Sequence, residues 1–154
     1  MKIKIGEPRD QYDRDLEIHI DPYDVWNMDD TLAHIIHPML VLLKSKKHGA
    51  PMVDDDDVPL ELRSYNSEMA EDDHLDVNFF NRWNYLLDEM IWAFGEYKID
   101  WQDQYITEIP ATKSGTAADA ESSYAFDKEG CDAHESRIIK ATSMFGKYYG
   151  SLWS

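Results

Sequence analysis

"NFFNRWNYLLDEMIWAFGEY", residues 78–97, is the stretch on which the architecture turns. At about 100° per residue, Phe79, Trp83, Leu86, Met90, Phe94 and Tyr97 fall on one side, flanked by Phe80, Leu87 and Ile91. This periodicity predicts a long helix over residues 77–97 that buries a continuous aromatic and aliphatic ridge. Its opposite side is unusual, because Tyr85 and Trp92 alternate there with Asn81, Arg82, Asp88 and Glu89. Aromatic residues and arginine are enriched in buried interfaces. That side therefore predicts a second packing surface, filled by the rest of the domain, by a second copy, or by a flat ligand that stacks.

Working outward, "DTLAHIIHPMLVLLKSKKHG" predicts a helix over residues 30–48, with Asp29 or Asp30 as its cap, Gly49 as its stop and Pro51 beyond. Leu32, Ile35, Ile36, Met39, Leu40, Leu42 and Leu43 gather on one side, and Asp30, His34, His37, Lys44 and His48 on the other. Pro38 lacks an amide hydrogen, so a bend or local opening is expected there. A third helix is expected over residues 131–149, with Ile138, Ala141, Phe145, Tyr148 and Tyr149 on its apolar side. At the other end, Lys2 to Ile5 and Leu16 to Ile20 alternate in the manner of two strands. The fold class is thus α+β, mainly α: three long helices packed with a short N-terminal β-hairpin, in a single domain over residues 1–154. Residues 53–76 read as an acidic, solvated connection with one helical turn at Pro59 to Arg63, and residues 111–123 as a mobile loop.

Against 31 acidic residues stand 15 basic ones, a formal charge of -16. This disfavours duplex nucleic acid and anionic membranes as partners and suits a basic protein surface. The single cysteine, Cys131, cannot form an intramolecular disulfide, and no leader or membrane-spanning stretch is evident. A cytoplasmic location is expected, the host cytoplasm for a viral protein.

Asp30, His34 and His37 stand at i, i+4 and i+7, a spacing that suits a divalent transition metal. A third ligand from elsewhere is missing from the pattern, so neither a metal nor another cofactor is expected. The aspartates at 54–57 lack the alternation and glycine of a calcium loop, and nothing marks Cys131 and His134 as a nucleophile and base. "KSKKHG", residues 44–49, is the one local concentration of positive charge. It either complements the helix dipole or contacts an anion through Lys46, Lys47 and His48. Those three residues, with Arg82, Tyr85 and Trp92, form the candidate site for a small anionic, nucleotide-type ligand held between protomers of a homo-oligomer.

"WNMDDTLAHIIHPMLVLLKSKKHGAPMVDDDDVP", "NRWNYLLDEMIWAF" and "HESRIIKATSMFGKYYGSLW" together resemble small accessory proteins of tailed, myovirus-type bacteriophages. The resemblance implies a non-enzymatic protein that counters host defence, either by sequestering a nucleotide signal or by occupying a basic host protein in imitation of nucleic acid. A metal-dependent hydrolase using His34 and His37 is the remaining alternative.

Overall fold

Three helices, α1 (Met28–Lys46), α2 (Phe79–Glu96) and α3 (Lys128–Lys147), and two small hairpins make up the computed structural model, which describes residues 1–7, 9–10, 13–69, 75–109 and 123–153. The helix spans agree with the expected ones to within a few residues, and α1 runs through Pro38 as a single element. The chemistry of the ends matches the helix dipole: Asp29 and Asp30 lie in the first turn of α1, and Lys44 and Lys46 in its last. For α3, the Asp127 side chain caps the first turn by accepting the Gly130 amide at 3.0 Å.

The second helix packs against both of the others. Its Trp83, Leu86, Leu87 and Met90 are fully buried, meeting Ala33 and Leu40 of α1 and Met144 and Tyr148 from the end of α3. The ridge read from the sequence is therefore the core. The expected second surface exists too, covered at Glu89 and Trp92 by Arg137 of α3 and at Arg82 by the chain between α1 and α2.

Apolar coverage of α1 is less complete than its sequence pattern predicts. Ala33 and Leu40 are buried and Ile36 and Leu43 half-buried, whereas Leu32, Met39, Val41 and Leu42 remain exposed. The apolar arc is wider than the strip that α2 covers.

Between α1 and α2 the chain makes short 3-10 turns at Asp55–Asp57, Leu60–Leu62 and Ser64–Asn66. This connection is tied down rather than simply solvated. Asp57 accepts hydrogen bonds from Lys147 Nζ and from the Tyr148 hydroxyl, both at 2.6 Å, and the Asp54 amide donates to the same hydroxyl at 3.0 Å. Asp55 takes both the amide and the hydroxyl of Ser64. Two of the four aspartates thus anchor the end of α3, and a third closes a local turn.

Strands β1 (Lys2–Ile5) and β2 (Leu16–His19) pair antiparallel with Ile3 opposite Ile18 and Ile5 opposite Leu16, so the predicted apolar face is formed. A second hairpin joins β3 (Ile106–Ile109) to β4 (Ser123–Phe126), with Ile106 opposite Phe126. Unlike Lys2–Ile5, Ile106–Ile109 reads apolar, polar, polar, apolar and so does not alternate, and Ser123–Phe126 follows a small polar run, which is why the sequence does not announce this hairpin. The loop expected over residues 111–123 lies outside the described residues, except for Ser123, which opens β4.

Candidate functional site

The densest assembly of polar and aromatic side chains lies along the seam between α2 and α3. Arg137 of α3 lays its guanidinium over the Trp92 ring, 3.9 Å from the centroid, and gives Nε and Nη2 to the two Glu89 oxygens at 2.9 and 2.7 Å. The hydrogen bonds to Glu89 hold the Arg137 pKa above its ordinary value. Nearby, burial and the Glu89 charge raise that of Tyr85.

One turn earlier on α3, His134 stacks on Trp101, with ring centroids 4.4 Å apart and planes 9° apart, and tilts against Trp92 at 5.0 Å. The Tyr105 hydroxyl lies 2.9 Å from His134 Nδ1, which assigns the ring proton to Nε2 if the hydroxyl donates. Nε2 lies 3.1 Å from Glu96 Oε2, within ion-pair range, yet the carboxylate is out of line for a hydrogen bond and the nitrogen is sealed from solvent. Gly130 makes room for this arrangement, since a Cβ there would stand 2.8 Å from the Tyr105 ring. Packed on these sides, the imidazole joins the 3-10 turn at Trp101–Tyr105 to the helices. Its partners Trp101 and Tyr105 were missed, and their i, i+4 spacing just after the α2 helix was the available signal.

The residues expected to hold an anion are not brought together. Arg82 is buried, donating to both carboxylate oxygens of Asp76 and, at 3.0 Å, to the Leu62 carbonyl. Its side chain is 5% exposed and that of Asp76 12%, so the expectation of a ligand-facing Arg82 is corrected: its charge is spent inside the fold. Trp92 lies beneath Arg137, and Tyr85 is half-buried. Lys46 and His48 are exposed at the end of α1, while Lys47 Nζ donates to the Lys44 carbonyl at 3.3 Å. Among the described residues, no hydrogen bond, ion pair or ring contact links this basic end to Arg82, Tyr85 or Trp92.

Two open grooves flank the start of α1, one lined by Tyr23, Trp26, Asp24 and Asp30, the other by Met1, Ile3, His34 and Ile35 beside the same two aspartates. Their charge is wrong for an anion. His34 sits 3.6 Å from Asp30, exposed, whereas His37 lies against Gly95 of α2, where burial and then the Lys98 charge lower its pKa. Among the described residues no group of three His, Cys, Asp or Glu side chains is arranged to hold a metal ion.

No protein-family model, no curated protein and no solved structure matches the chain. Among the described residues, no helix is long and apolar enough to cross a membrane.

Proposed function

We propose that this is a non-enzymatic binding protein whose acidic exterior docks onto a basic surface of a partner protein. The observation that carries the reading is the charge of -16 combined with where the fold leaves its acids. Asp56 is 97% exposed and Asp15 80%, and Asp13, Asp54, Asp88 and Asp132 also keep most of their side chains in solvent. Arg82, by contrast, is withdrawn from the surface. Such a field attracts cationic surfaces and repels nucleic acid, and the attraction is screened by salt. The setting in a phage-infected host, with a nucleic-acid-binding host protein as the target, rests on the sequence resemblance alone.

The test is capture from host lysate on the immobilised, folded chain. The expected outcome is a strongly basic protein retained at low salt, released at roughly three to four times physiological ionic strength, and competed off by nucleic acid. Capture of no basic protein would sink the reading. Calorimetric binding of a nucleotide that is lost in Lys46→Glu and Lys47→Glu would replace it with the anionic-ligand alternative.

A further inference from the structure

The apolar surface that α2 leaves uncovered on α1 has a regular spacing. Met28, Leu32, Ile35, Met39 and Leu42 follow one another at intervals of four, three, four and three residues, the repeat of a helix that meets another helix along a seam. These residues form a stripe well to one side of the strip occupied by Ala33, Ile36, Leu40 and Leu43. The stripe is open to solvent: Met39 is 62% and Leu42 59% exposed, with Met28 and Leu32 also exposed. At Ile35 it runs into Met1 and Ile3 of the N-terminal hairpin, so the uncovered surface is continuous across two elements.

Its two ends carry opposite chemistry. The start has Asp29 and Asp30 together with Trp26, which is 86% exposed. The finish has Lys46 in line with the stripe, followed by Lys47 and His48, in a chain with few other basic clusters. A helix that is acidic and aromatic at one end and cationic at the other complements an antiparallel copy of itself.

We propose that the chain forms a twofold dimer in which α1 packs antiparallel on α1 of a second copy. Ile35 of each protomer then lies opposite Met39 of the other near the axis, and Met28 lies opposite Lys46. The cationic end of one helix reaches Asp29, Asp30 and the Trp26 ring of its partner, pairing charge with charge and cation with aromatic face. The contact is isologous, as a closed dimer requires. It uses none of the exposed Asp54, Asp56, Asp88 and Asp132, which stay available for docking to a basic protein.

Sedimentation equilibrium on the full chain tests this, with concentrations up to about 100 µM. The expected result is a species of twice the 18.0 kDa chain mass. Met39→Glu places like charges near the axis and is expected to weaken association about tenfold or more, with an unchanged far-ultraviolet circular dichroism spectrum because Met39 is exposed. Lys46→Glu and Asp29→Lys should each weaken the dimer, and the double variant should restore it. A wild-type chain that stays monomeric throughout overturns the proposal, as does a dimer indifferent to Met39→Glu. Failure of the double variant to recover overturns the antiparallel pairing.

Discussion

Gly130 inverts a general expectation about helices. A glycine inside a helix is ordinarily about 1 kcal/mol worse than alanine, so Gly130→Ala in the first turn of α3 would be expected to stabilise. Here the added Cβ would meet Asp127 Oδ2 at 2.5 Å and the Tyr105 ring at 2.8 Å. The cap could swing away, at the cost of its hydrogen bond, but the ring is held between Trp101 and His134. Gly130→Ala is therefore expected to lower the melting temperature by several degrees, with a change in the Trp101 environment visible by fluorescence, whereas alanine at Gly146, which has open space around it, is expected to be neutral or stabilising. Arg82 teaches a related point about single residues. Its angular position, beside Asn81 and Asp88 and away from the ridge, reads as part of a second packing surface whose occupant the sequence leaves open. Periodicity reports only where a side chain points, and it cannot see that the connection at 47–78 returns to cover that part of α2 with Asp76 and the Leu62 carbonyl.

Among the elements, the long helices are legible because their period repeats over several turns, and β1 and β2 because they alternate; β3, with Thr107 and Glu108 side by side between two isoleucines, does not alternate, and its partner β4 follows a small polar run. The basic end of α1 was legible as charge but not as a site, since Arg82, Tyr85 and Trp92 are claimed by neighbours that lie far off in sequence. The acidic connection was read as solvated for the same reason: its partners, Lys147 and Tyr148, lie about ninety residues away. Burial pushes the Asp57 carboxyl up, but the hydrogen bonds from Lys147 and Tyr148 pull it down by more, leaving it below the free aspartate value of 3.8. A depressed carboxylate contributes stability above its unfolded value and loses it as pH falls through the folded one. Denaturation at a series of pH values should accordingly show stability holding near neutrality and falling below about pH 4. Asp57→Asn should be less stable at pH 7 and have a shallower acid limb. An acid limb as steep as the wild type's would show that Asp57 is not among the groups responsible.

For the whole molecule the surplus of acid dominates. Each exposed ion pair contributes little, about 0 to 1 kcal/mol, whereas 31 acidic against 15 basic residues repel one another across the entire surface. Raising ionic strength is expected to increase the melting temperature by calorimetry, because screening relieves more repulsion than attraction; a fall would mean that the local pairs outweigh the net charge. The placement of α2 between α1 and α3 has a consequence for the lifetime of the folded state. Both of its connections are long, residues 47–78 and 97–127, so neither helix pairing is a quick local event. The bond from Tyr148 to Asp57 spans 91 positions, and a contact this non-local is expected to form late in folding. Contacts made that late leave the folding rate almost untouched and govern how fast the chain comes apart. The anchor at the end of α3 thus acts as a latch on unfolding: its loss would shorten the time the protein stays folded without slowing its arrival there.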